Sequence, residues 1–172
     1  MTNLRTLALA ILAVLLLAAP PARAAGEGPS ELLDAINAAR AAAGRTALVA
    51  DLRLVCAAGA HARDLARRGT LDHRGADGAD LTTRLARVGY PYVRAAENLA
   101  LANDVAEVIG LWQASPGHRR NMLDPAVTDA GVGRAVAEGQ VYWVLVLGER
   151  ASESARTPGF PRFLADCPAN PG

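Results

Sequence analysis

Apolar residues recur at helical spacing through four stretches of this chain and at strand spacing through two or three. Leu32, Leu33, Ile36 and Ala39 share one face of a first helix that Ser30 caps and Gly44 stops, running to about Ala43. Asp51 caps a second helix from Leu52 to Arg68, with a stripe of Leu52, Val55, Cys56, Gly59, Ala62, Leu65 and Ala66 and a stop at Gly69. A shorter third helix follows Asp80 and ends at Gly89, turning Leu81, Leu85 and Val88 inward, and Tyr90-Pro91 then forces an extended turn. Asp104 with Glu107 three residues on forms a capping box for a fourth helix, which carries Val108, Leu111 and Trp112 to the break at Ser115-Pro116-Gly117. A short turn or helix, 118–123, comes next.

The period then changes. Ala130 to Ala137 and Val141 to Leu147 read as strands joined by Glu138-Gly139-Gln140, a β-hairpin, and Val93 to Ala100 supplies a third strand. The run Val141-Tyr142-Trp143-Val144-Leu145-Val146-Leu147 is apolar without interruption, so the sheet it belongs to is covered on both faces. Helices on two sides of a small sheet are the predicted architecture. After Gly148 the composition turns to Ser, Pro and Arg, and 149–172 reads as an irregular tail packed on the domain.

The amino terminus has a different periodicity. Arg5, an apolar run from Leu7 to Ala19 and the small-x-small sequence around Ala22-Arg23-Ala24 read as a signal peptide over 1–24, too short to span a bilayer. A secreted or periplasmic destination follows, with no membrane association after cleavage. Residues 25–148 then form one domain. The chain holds 18 basic and 17 acidic residues, and without Arg5 and Arg23 the count becomes 16 against 17. Overall charge therefore gives no support to a nucleic-acid role. The two cysteines, Cys56 and Cys167, are expected to bridge in an oxidising compartment, and they lack the spacing of a zinc-thiolate site.

Against this Ala/Leu/Val-rich background three polar residues stand out, each just outside a predicted helix: His73, Glu97 and His118. Two imidazoles and a carboxylate are sufficient ligands for zinc or another divalent metal with one position left open. In a second arrangement the two histidines hold the ion while Glu97, one shell out, orients an imidazole or accepts a proton, which makes Glu97 the candidate catalytic group. Ser115 reads as a turn or cap hydroxyl rather than a nucleophile. Asn121 and Arg119 are placed to anchor the turn bearing His118, and Asn98 to support the same cleft. His61, among small residues inside the second helix, reads as a half-buried hydrogen-bonded side chain. Asn37 and Arg40 tie the first helix to a neighbouring loop.

Several stretches resemble the CAP superfamily, the SCP-like domains of cysteine-rich secretory and pathogenesis-related proteins, in its bacterial form. They are Asn37-Ala38-Ala39-Arg40, Leu71-Asp72-His73, Glu97-Asn98-Leu99-Ala100, and Trp112 through Leu123 with Ser115-Pro116-Gly117-His118-Arg119-Arg120-Asn121 at its centre. The resemblance spans residues 31–148. It implies a three-layer α/β/α sandwich with a small, mostly antiparallel sheet, an exported location, and a cleft tetrad of two His and two acidic residues. His73, Glu97 and His118 match three of the four positions. Ser115 stands where many eukaryotic members carry a glutamate, so one negative charge is missing. Three functions remain open: a module whose cleft binds a divalent metal and a small lipid, glycan or peptide ligand, a zinc-dependent hydrolase of peptide or cell-wall substrates, and a structural envelope protein.

Overall fold

The computed structural model describes residues 28–151, and within them a four-stranded sheet lies between two helical layers. In chain order the elements are α1 (Pro29–Ala42), β1 (Val49–Ala50), α2 (Leu52–Arg68), α3 (Leu81–Arg87), β2 (Tyr92–Leu101), α4 (Val105–Ala114), α5 (Pro116–Met122), β3 (Asp129–Ala137) and β4 (Gln140–Arg150). The sheet order is β1-β3-β4-β2, with β1 parallel to β3 and the other pairs antiparallel, so β2 is an edge strand. Residues 1–27 and 152–172, Cys167 included, lie outside the described residues. Cys56 is disulfide-bonded.

Strand β4 explains the layering. Successive side chains on a strand point to opposite faces. Trp143, Leu145 and Leu147 join Leu32, Ile36, Val108, Trp112 and Met122 beneath α1, α4 and α5. Tyr142, Val144 and Val146 join Leu54, Ala58, Leu65 and Leu85 beneath α2 and α3. The uninterrupted apolar run thus serves two cores, and the α/β/α sandwich expected from it is present.

The helix ends largely follow their sequence signals. Asp51 accepts from the Arg53 amide, Asp80 from Thr83 and Asp104 from Glu107, and Gly69 closes α2 in the left-handed conformation at φ 63°. Two caps differ. Gly28, not Ser30, is the N-cap of α1, because Pro29 occupies the first helical turn and Ser30 instead donates to Glu31 Oε2. Glu107 accepts from the Asn103 amide at 2.7 Å, so its reach ends one residue before Asp104.

The buried face of α2 is also rotated from the predicted stripe. Leu52 is exposed and Val55 and Cys56 are half-buried, while Leu54, Ala57, Ala58 and His61 face inward. Gly131 and Gly133 on β3 are the reason. A Cβ at Gly131 would overlap the backbone of Leu54 and Val55, and one at Gly133 that of Ala58 and Gly59. The helix backbone rests directly on the strand, which selects the small-residue face. Strand β4 continues past Gly148 to Arg150, whose guanidinium bonds Asp129 at 2.9 Å and Asp51 at 2.6 Å, so the start of the expected tail is ordered sheet.

Asn37 and Arg40 do tie α1 to loops. Asn37 exchanges two bonds with the Leu48 backbone, at 3.1 and 2.8 Å. Arg40, fully buried, donates to the carbonyls of Thr46, Met122, Asp124 and Val127.

Candidate functional site

Adjacent residues on the edge strand reach into opposite layers, and the site is built on that alternation. Glu97 turns toward α2 and α3. Its Oε1 accepts from His73 Nδ1 at 2.8 Å and its Oε2 from Arg84 Nη2 at 2.6 Å, with His61 Nε2 3.9 Å from Oε1. Asn98 turns the other way. Its Nδ2 donates to the His118 carbonyl at 3.0 Å and its Oδ1 accepts from Asn121 at 2.8 Å.

The loop bearing His73 runs from the α2 stop at Gly69 to the α3 cap at Asp80, and side chains grip its backbone. Arg84 Nη1 donates to the His73 carbonyl at 2.9 Å and to that of Ala79 at 3.0 Å. Arg68 donates to the Arg74 carbonyl at 2.7 Å, and Asp64 accepts from the Ala76 amide at 3.0 Å. His61 Nε2 lies 3.0 Å from the Asp72 carbonyl. A carbonyl only accepts, so Nε2 carries the proton, and Nδ1 is buried without a hydrogen-bond partner among the described residues. On the other side, Ser115 Oγ accepts from the His118 amide at 3.5 Å and opens α5 as its N-cap.

The three imidazoles sit in different electrostatic settings. The hydrogen bond to Glu97 holds the His73 pKa above its ordinary value against the opposing effect of burial. Burial, with the charge of His73 adding to it, pushes His118 down. Burial also lowers His61 despite the attraction of Glu97. The side chain of His73 is 62% exposed, whereas Glu97 beneath it is 3% exposed.

Of the residues singled out in the sequence, His73 and Glu97 are in direct contact, and Asn98, Asn121 and Ser115 bond the backbone of α5 or one another. The side chain of Arg119 makes no hydrogen bond among the described residues and lines a separate groove. No group of three or more His, Cys, Asp or Glu side chains is arranged to hold a metal among the described residues. Both Glu97 oxygens are committed to His73 and Arg84, which suits the carboxylate to orienting an imidazole better than to ligating an ion. The largely exposed His73 and the half-buried His118 are the imidazoles left as candidate ion ligands.

Arg84 is the functional residue that sequence reasoning missed. Followed by Arg87 on a short amphipathic helix, it reads as surface charge. A cavity of about 380 Å³ between α2 and α3 is lined by His61 and Arg84 but by neither His73 nor His118.

Edge strand β2 thus carries Glu97 against the His73 loop and Asn98 against the α5 backbone, within an α/β/α sandwich of the SCP-like class. The cysteine-rich secretory protein family, CAP, matches residues 33–147, and the chain belongs to that family. The uncharacterized protein YkwD of Bacillus subtilis is 29% identical over 120 residues, which are 69% of this chain and 46% of that protein. The chain therefore spans about half the length of this curated relative. Among solved structures, an extracellular protein containing an SCP domain from Bacillus anthracis aligns with TM-score 0.65 and 24% identity over 71% of this chain and 40% of that one. An outer surface protein from Borrelia burgdorferi aligns with TM-score 0.66 and 21% identity over 71% of this chain and 92% of that one.

Proposed function

We propose that this chain is an exported CAP domain whose His73–His118 cleft binds a divalent metal ion, zinc being the natural candidate, and with it a small lipid, glycan or peptide ligand. The observation that carries the reading is the 2.8 Å bond from His73 Nδ1 to Glu97. It fixes the ring with Nε2 outward, and a carboxylate bonded behind an imidazole in this way raises its basicity as a ligand. His118, with its pKa depressed, presents a neutral imidazole at physiological pH. A bound ion would act as a Lewis acid toward a carbonyl, carboxylate or phosphoryl oxygen of the ligand. Arg84 and Asn98 hold the two sides of the cleft in register. Export rests on the leader-like 1–24 segment, and the Bacillus anthracis and Borrelia relatives are described as extracellular and outer-surface proteins. Among the described residues no helix is long and apolar enough to cross a membrane.

Calorimetric titration of the metal-free protein with zinc tests the proposal. One site is expected, weakened at least tenfold in His73→Ala and in His118→Ala, and about 10- to 100-fold in Glu97→Gln, with circular dichroism unchanged. Equal affinity in wild type and both histidine variants would refute it.

A further inference from the structure

On the opposite side of α5 from the histidine pair, a groove of about 760 Å³ is walled by Arg45, Arg94, Arg119 and Arg120, with Asp124 its one acidic lining residue. Arg94 already pairs with Asp124 at 3.1 Å. Arg45, Arg119 and Arg120 are exposed and have no carboxylate partner among the described residues. Beneath the groove lies Arg40, whose buried guanidinium is bonded to backbone carbonyls, those of Met122 and Asp124 among them. Burial lowers its pKa, with the attraction of Asp124 opposing and the charge of Arg45 adding to the depression, so Arg40 and Arg45 lie within electrostatic range. The whole chain carries a formal charge of only +1, so the three arginines without a carboxylate partner reflect a local arrangement and not an overall excess of positive charge.

Such crowding of like charge is unfavourable unless an anion relieves it. The guanidinium fork matches the oxygens of phosphate bidentately. The remaining lining is Gln113, Ala114, Pro116, Leu123 and Pro125, without an aromatic platform for a base or a sugar.

We propose that this groove is a binding site for a ligand carrying two or more phosphate groups, distinct from the histidine cleft. Because it uses none of the cleft histidines, it stands whether or not the cleft binds metal.

The test is calorimetric titration with tripolyphosphate at about 50 mM NaCl, beside inorganic phosphate and phosphatidylglycerol vesicles. Saturable 1:1 binding of tripolyphosphate is expected, weakening as salt rises to about 200 mM and at least tenfold weaker in Arg45→Glu/Arg120→Glu, whose thermal melt should match wild type. His73→Ala should bind tripolyphosphate as wild type does. The proposal is overturned if wild type shows no saturable binding, if the double charge reversal leaves affinity unchanged, if inorganic phosphate binds equally well, or if the vesicles alone are bound.

Discussion

Replacing Arg84 by methionine tests the buried pair on which the placement of His73 depends. Methionine keeps most of the volume and removes the charge, so the cost is electrostatic rather than a cavity. Arg84 and Glu97 have side chains only 8% and 3% exposed and meet at 2.6 Å. Removing one member leaves a carboxylate in the interior with His73 as its one close donor, and breaking a buried pair in this way costs about 3–5 kcal/mol. The His73 carbonyl loses the guanidinium as well, whereas the Ala79 carbonyl still accepts from the Gly75 amide at 2.9 Å. Set against a typical total stability of about 5–15 kcal/mol, the variant should fold but melt about 10–15 °C lower. Thermal and urea unfolding at pH 7, followed by circular dichroism, measures this. The double variant Arg84→Met/Glu97→Gln removes both charges and should recover much of the loss, with a coupling energy of about 2 kcal/mol or more in the cycle. A loss below about 1 kcal/mol in Arg84→Met with no coupling to Glu97 would show that the pair is not what holds the loop.

Glycine substitutions should separate the α2–β3 contact from ordinary helix positions. Gly133→Ala drives a methyl group into the Ala58–Gly59 backbone and should cost about 3 kcal/mol or more, whereas Gly110→Ala, in open space on α4, should gain about 0.5–1 kcal/mol; melting temperatures moving in the same direction would contradict this. For pH, the buried His61 has a lowered folded pKa, so the unfolded chain takes up its proton first and stability should fall as pH drops below about 6.5. His73 has the opposite sign, its contribution being present below about 6.5 and lost as pH rises through its raised value. Urea midpoints between pH 5 and 8 should therefore decline less steeply on the acid side in His61→Gln than in wild type, and parallel curves would exclude His61 as a source of acid sensitivity.

Elements with strong local punctuation were legible in the sequence. Asp51 with Gly69, Asp80 with Gly89, and Asp104 before the Ser115-Pro116 break bound three helices, and two strand-type segments joined by Glu138-Gly139-Gln140 mark the hairpin. His73 and Glu97, which the structure brings into contact, stood out in the sequence as candidates because they are polar and lie outside helices in an apolar chain. What escaped is set by distant partners. The two-residue β1 is too short for any period to show, and its register comes from Asp129 and Ala130. The inward face of α2 depends on glycines more than 70 residues downstream. Arg84 differs from Arg87 only in facing Glu97, which no local pattern records.

Arg40 gives the amino-terminal helix a duty beyond filling the core. One guanidinium stitches α1 to the Met122 carbonyl that ends α5, to the α5–β3 connection at Asp124 and Val127, and to the α1–β1 loop at Thr46. Clipping or displacing α1 would thus release the far end of the helix that carries His118, and damage at the front of the domain would be felt at the cleft before the sheet itself came apart.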